Sequence, residues 1–268
     1  MGSNINIFNF VPGISTPTVD PDAQAFITAA SITDPTQQSA IDTLVTDLKG
    51  YGIWTKMKAI YPFVGGTASS HKFNLKDPRD LDAAFRLVFN GGITHDANGI
   101  TGNGVNSYAD TQIALNTLSR DDNSGGIYSR SDLTGGADFG IYNNANNGSF
   151  QFSIKTSNIW YTRNGSTTVN ALSNTDSRGF FQMTRRNSSE YRKAKNNTKS
   201  TTLQGASDTF TNTEIIPICA LRTSGTITSY SSRNYSFQYI GNTSLSDTEL
   251  DNMNTAVQAF NTTLSRQV

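Results

Sequence analysis

The chain has 268 residues and balances 21 Lys and Arg against 21 Asp and Glu, so its zero net charge supplies no global field for nucleic acid. That length allows one or two domains, and all-β sandwiches of about 200–250 residues commonly form a single one. Ser, Thr and Asn abound while Glu occurs only at Glu190, Glu214 and Glu249, a balance that suits pleated strands and turns better than a helix-rich enzyme.

Taken in order, the chain begins with Asn4-Ile-Asn-Ile-Phe-Asn-Phe10, which half-alternates apolar residues with Asn and reads as an extended arm. No basic n-region with an apolar core is visible there. Asp20-Pro21 and Asp34-Pro35 each place an N-cap Asp before a Pro at the first helical position. The second helix puts Ile41, Leu44, Val45 and Leu48 on one face, and the pattern stops at Gly50. Both helices are amphipathic and need a surface to cover.

From Tyr51 the pattern changes to short apolar runs punctuated by Gly, Asn and Pro. Ile53–Tyr61 reads as a strand, or a short helix and then a strand. Phe85–Phe89 reads as a strand with Phe85, Leu87 and Phe89 on one face. Gly91-Gly92, Asn98-Gly99 and Gly102-Asn-Gly104 are turn signals. Strands are expected at 107–113, 126–130, 138–142, 149–155, 158–162, 178–185 and 189–195, with Asn164-Gly165 as a two-residue hairpin signal. Many short strands at intervals of about 8–12 residues mean a sandwich or barrel. No helical pattern interrupts residues 91–243, which argues against parallel βαβ units.

The stretch Arg178–Lys199 is locally basic, with seven Arg and Lys against Glu190. It suits a phosphate or an acidic partner, or else a solvated strand face, the usual fate of a charge run. Cys219 lies in the apolar run Ile215–Leu221 and reads as a small buried hydrophobe. A single Cys excludes a disulfide framework or a Cys-based zinc site within one chain. No apolar run is long enough to cross a membrane. Asn234–Gly241 is a strand, and Ser246-Asp-Thr-Glu249 is a capping box that starts a helix with Leu250, Met253, Val257, Phe260 and Leu264 on one face.

Three stretches carry a resemblance. They are Tyr51-Gly-Ile-Trp-Thr-Lys-Met-Lys-Ala-Ile-Tyr-Pro-Phe-Val-Gly-Gly66, His71-Lys-Phe-Asn-Leu-Lys-Asp-Pro-Arg-Asp-Leu-Asp-Ala-Ala-Phe-Arg-Leu87, and the segment from Phe237-Gln-Tyr-Ile-Gly241 through Leu245-Ser-Asp-Thr-Glu-Leu250 to Val268. The chain resembles a family of structural proteins of tailed bacteriophages, crAss-like and related phages of Bacteroidetes hosts, with a concanavalin A-like (laminin G-like) lectin domain. The resemblance covers roughly residues 20–110 and 178–268. It implies a mainly β fold, a jelly-roll sandwich of two antiparallel sheets, and a place in a virion assembled in the host cytoplasm. On that reading residues 1–50 are an arm with helices that attaches to other virion proteins. Residues 51–268 are the sandwich, closed by the C-terminal helix, and the protein is expected to form a homo-oligomer.

Concanavalin A-like folds include β-glucanases, and retaining glycosidases hold two carboxyl groups about 5 Å apart. The Glu-x-Asp-x-Glu pattern of that branch is absent, and Glu190, Glu214 and Glu249 each have structural explanations. Asp121 and Asp122 are adjacent, so on a strand they point to opposite faces. His71 and His95 have no nucleophile elbow nearby and read as surface polar residues. Asp121, Asp122 and Asn123 supply hard oxygens of the kind Ca²⁺ takes, in a segment that is also an ordinary turn; no cofactor is otherwise implied. Glycan binding needs an aromatic platform ringed by amide and charged groups. Trp160, Tyr161, Arg163 and Asn164 supply them beside a hairpin, with Tyr191 and Arg192 as candidate neighbours, and strand alternation buries either Trp160 or Tyr161.

The expectation is a non-enzymatic virion protein whose lectin-like domain adheres to host-surface glycans, with neither nucleic acid nor membrane insertion. A purely structural capsid-decoration, collar or tail component is the alternative, and a glycan depolymerase the third.

Overall fold

The Asp-Pro pairs start the first two helices as their chemistry dictates. Asp20 accepts a hydrogen bond from the Asp22 amide at 2.9 Å and Asp34 accepts one from the Gln37 amide at 2.8 Å, with Pro at the first helical position of α1 (Pro21–Ala29) and α2 (Pro35–Gly50). The computed structural model describes residues 18–143, 148–165, 169–204 and 209–268, so the extended-arm reading of Asn4–Phe10 lies outside the described residues. A single-turn helix α3 (Ala68–His71) follows, and α4 (Asp247–Thr263) closes the chain. The capping box of α4 is present, because Ser246 and Glu249 bond each other's backbone amides.

The strands are β1 (Met57–Tyr61), β2 (Val88–Asn90), β3 (Thr94–Asp96), β4 (Gly99–Thr101), β5 (Tyr108–Ala114) and β6 (Asn123–Ser129). Then come β7 (Phe139–Tyr142), β8 (Phe150–Thr156), β9 (Ile159–Asn164), β10 (Asn170–Ser173), β11 (Gly179–Arg185) and β12 (Glu190–Lys195). The last are β13 (Thr198–Lys199), β14 (Leu203–Gln204), β15 (Ile215–Ile218), β16 (Leu221–Thr223), β17 (Thr226–Thr228) and β18 (Asn234–Gly241).

They form two sheets, nine strands each among the described residues. The first runs β13-β12-β11-β6-β18-β4-β3, with β1 on β18 and β14 on β12; the second runs β10-β9-β8-β7-β15-β5-β2, with β16 on β7 and β17 on β16. Every pairing is antiparallel except β16 on β7. The fold is thus the expected jelly-roll sandwich, mainly β.

Alternation along the strands builds three layers. On β11, Phe181 and Met183 face the second sheet and pack with Phe139, Phe150, Phe152 and Trp160. Their neighbour Phe180 points the other way, onto a core that Tyr128, Phe237 and Tyr239 share with α1, α2 and α4. The helices therefore cover the outer side of the first sheet. Among the described residues none of α1 to α4 contributes to the core between the two sheets.

Three local expectations are revised. Phe85 ends a 3-10 turn with a left-handed backbone (φ 60°), so only Val88–Asn90 is strand, although Phe85, Leu87 and Phe89 still pack against one core as expected. The two-residue hairpin is Ser157-Asn158, whose φ angles are 51° and 61°. Asn164 is instead the last residue of β9, and β10 begins only at Asn170. His71 is buried, not a surface residue. Its Nδ1 lies 3.1 Å from His95 Nδ1, and its Nε2 accepts a hydrogen bond from the Gly66 amide at 3.2 Å.

Candidate functional site

Register on the second sheet decides what the middle of the chain can do. The Ser157-Asn158 hairpin, with a bulge behind it, sets Gln151 opposite Arg163 and Ser153 opposite Tyr161. These four side chains lie on the outer side of β8 and β9, while Phe150, Phe152, Trp160 and Thr162 lie on the inner side. Gly136, Ala137 and Ser229 from neighbouring loops wall the outer side into an open pocket of about 320 Å³.

The pocket combines an aromatic ring with cationic and polar groups. Tyr161 offers a partly exposed ring. Arg163 donates to the Gln151 side-chain oxygen and stacks its guanidinium 4.1 Å from the centre of the Tyr142 ring. Burial lowers the pKa of that guanidinium from its ordinary value. Ser153 adds a hydroxyl, which also accepts from the Gln151 amide at 3.3 Å. An aromatic face ringed by guanidinium, amide and hydroxyl groups matches a sugar ring, which has apolar faces and a hydroxyl rim. Among the described residues none that lines the pocket is a carboxylate, the group that glycosidases use in pairs.

The six candidate glycan contacts therefore separate. Tyr161 and Arg163 come together in the outer pocket. Trp160 is 4% exposed and packs its ring between Phe152 and Phe181 at centroid distances of 5.5 and 5.1 Å. Asn164 is fully buried; its amide nitrogen donates to Asn123 Oδ1 at 2.9 Å and its carbonyl accepts from Arg185 Nε at 2.7 Å. Tyr191 is also fully buried, its hydroxyl 3.3 Å from the Thr162 hydroxyl, and burial pushes the phenol up to about 12. Arg192 faces the helices, donating to Asp247 of α4 at 2.7 Å. Gln151, Ser153 and Tyr142 went unread in the sequence, because their relation to Tyr161 and Arg163 exists only through register. The Ser157-Asn158 turn is the one local signal that points to that register.

The acidic stretch engages three different parts of the fold. Asp121 pairs with Arg120 at 3.1 Å, Asp122 accepts from the Ser244 amide at 2.6 Å, and buried Asn123 donates to Ser119 and accepts from Asn164. Asp122 and Asn123 thus hold loops, Asn123 already belongs to β6, and Asp121 Oδ1 is buried without a hydrogen-bond partner. Among the described residues no three His, Cys, Asp or Glu side chains cluster as metal ligands. A Ca²⁺ ion takes six to eight converging oxygens, and the side chains of Asp121, Asp122 and Asn123 turn to three different partners.

The basic stretch is likewise anchored. Arg185 and Lys193 are fully buried, and Arg186 joins Arg192 on Asp247. Glu249 bridges Lys56 at 2.7 Å and Glu190 lies beside Arg186.

No protein-family model matches the chain, and no curated protein matches it significantly. Solved structures do resemble it. Domain 4 of AbnA, a GH43 extracellular arabinanase from Geobacillus stearothermophilus, in complex with arabinotriose, aligns with a TM-score of 0.51 and 11% identity over 74% of this chain and 98% of that one. The binding domain of botulinum neurotoxin DC in complex with rat synaptotagmin II aligns with a TM-score of 0.52 and 12% identity over 77% of this chain and 53% of that one. The same neurotoxin's binding domain in complex with SialylT gives 0.51 and 10%, over 76% and 52%. This chain spans about half the length of those neurotoxin structures. At such identities the likeness concerns the sandwich fold.

Proposed function

We propose that the protein is a non-enzymatic carbohydrate-recognition component of a tailed-phage virion, binding host-surface glycans on the outer side of its second sheet. The observation that carries this reading is the Tyr161–Arg163 pocket. Among the described residues it lies on a face that no helix covers, and it pairs an aromatic ring with guanidinium, amide and hydroxyl groups but no carboxylate. The fold is shared with an arabinanase domain whose structure contains arabinotriose and with a neurotoxin domain whose structure contains SialylT, which supports a sugar ligand by analogy of architecture. The stretches resembling phage structural proteins support the virion setting. In that setting the first fifty residues join the protein to other virion proteins, and several copies assemble together.

A glycan array combined with a reducing-sugar release assay tests the ligand. Binding by the wild type, its loss in Tyr161→Ala and Arg163→Ala, and no sugar release are expected. Binding to no glycan would favour a purely structural virion part, and release of reducing ends would make the protein a depolymerase. An electron-microscopy map of the intact particle tests the location.

A further inference from the structure

Trp160 and Tyr161 are consecutive, so they serve opposite sides of the second sheet. Tyr161 lines the outer pocket. Trp160 lines a separate cleft of about 340 Å³ at the lateral mouth of the sandwich, where β9 and β10 of the second sheet meet β12 and β13 of the first. Lys193 and Lys195, two apart on β12, also line it.

The polar groups these residues bring are donors. Lys193 Nζ reaches across the sandwich and donates to the carbonyls of Trp160 and Asn170, each at 2.8 Å. That uses two of the three hydrogens of an ammonium group. Lys195 Nζ donates to Asn174 Oδ1 at 3.1 Å and to the Asp176 carbonyl at 2.5 Å. Among the described residues neither lysine forms an ion pair, and the nearby carboxylates are taken: Asp176 by Arg178, Asp132 by Lys155. The indole N–H of Trp160 is buried without a partner in the same setting, and the Lys193 amine lies 4.8 Å from the centre of that ring.

Lys193 is an interior amine without an ion pair, which is unfavourable, whereas Lys195 is partly exposed and lies within the field of Asp176 and Asp132. Burial holds Lys193 down to about 7 and lowers Lys195 as well. An interior strut between the sheets could be made by a neutral amide, and it would need neither a second lysine nor an open cleft. We infer that this cleft is a binding site for the anionic group of a small ligand, a carboxylate or another oxyanion, met by the partly exposed Lys195 at the mouth, with the buried Lys193 behind it beside Trp160. The site is distinct from the outer pocket and stands whether or not that pocket binds glycan.

The chain has two tryptophans, so Trp54→Phe leaves Trp160 as the only indole reporter. In that background the full chain is titrated at constant ionic strength with D-glucuronate, D-glucose and inorganic phosphate while tryptophan emission is followed. Glucuronate should give a saturable change and glucose none. Lys193→Met, which keeps the aliphatic stem against the ring, and Lys195→Gln, which leaves the Lys193 contacts in place, should each weaken binding at least about tenfold. Saturation by glucuronate alone identifies a sugar carboxylate, and saturation by phosphate too identifies a general oxyanion site; both support the inference. Saturation by neither anion, an equal response to glucose, or a response unchanged in both lysine variants overturns it. So does a response lost in Tyr161→Ala, which would assign the anion to the outer pocket.

Discussion

Arg233 and Asp138 stand 95 positions apart in the chain and meet with Arg233 Nη1 2.9 Å from Asp138 Oδ1, both side chains fully buried. The same carboxylate accepts from the Tyr235 hydroxyl at 2.5 Å and from the Ile154 amide at 2.6 Å. Arg233 also donates to the carbonyls of Leu133 and Lys155. The pair thus ties the β6–β7 loop, β8 and the start of β18 together, next to the loop residues that wall the outer pocket. Removing one partner strands the other charge away from water. Asp138→Ala should therefore cost roughly 3–5 kcal/mol, while the double variant Asp138→Leu/Arg233→Met should cost less than the single one. Urea denaturation of the three proteins decides it; a single-variant loss under about 1 kcal/mol would show that the pair is not needed.

His71 makes stability sensitive to acid. Burial, with the charges of His95 and Arg266 beside it, pushes its pKa down to about 3 from an ordinary 6.5. The folded state then binds fewer protons than the unfolded state between those values, so the contribution of His71 is intact above pH 6.5 and is lost as pH falls toward 3. Protonation also removes the Nε2 acceptor that the Gly66 amide uses. The wild type should lose about 2 kcal/mol at pH 5 relative to pH 7 through this group. The loss should be absent in His71→Gln, and parallel pH profiles of the two proteins would refute the assignment.

Gly125 and Gly126 let the sheets close around β6. A Cβ at Gly125 would lie 2.9 Å from Phe150 Cζ, and one at Gly126 would lie 2.5 Å from Tyr239 Cε1. The two positions face opposite layers, so Gly125→Ala presses on the inter-sheet core and Gly126→Ala on the helix-side core. Each should cost about 1–3 kcal/mol by overpacking. Thermal melts check this, and an unchanged midpoint in both variants would mean that the aromatic rings shift freely.

Tyr161→Ala should weaken binding of the glycan found on an array at least about tenfold, equivalent to about 1.4 kcal/mol. Trp160→Phe keeps an aromatic ring in the core and should leave that affinity within about twofold, because Trp160 faces the opposite side of β9. Calorimetric titration of both variants separates the two faces, and the reverse ranking would move the site to the interior side.

Much of the architecture was legible because it rests on near-neighbour backbone chemistry. Asp20 and Asp34 cap helices since their carboxylates reach amides two or three residues on. Ser246 and Glu249 form a capping box for the same local reason. Asn234–Gly241 is a strand with the bounds its pattern implies. The candidate site was legible only in part. Alternation requires Trp160 and Tyr161 to part company, yet which one faces solvent depends on how β9 pairs with β8.

Tertiary structure alone decided that and several similar matters. The register shift in β18 between Tyr235 and Phe237 sends Tyr235 into the inter-sheet core and Phe237 and Tyr239 to the helices, although all three are spaced two apart. Lys193 and Arg233, charged residues that by composition belong at the surface, lie inside because carbonyls and a carboxylate from distant strands meet them there. Sequence patterns report what a residue does to its own few neighbours. Partners tens of positions away are set by register, bulges and layer packing, and the pocket and the cleft are made of such partners.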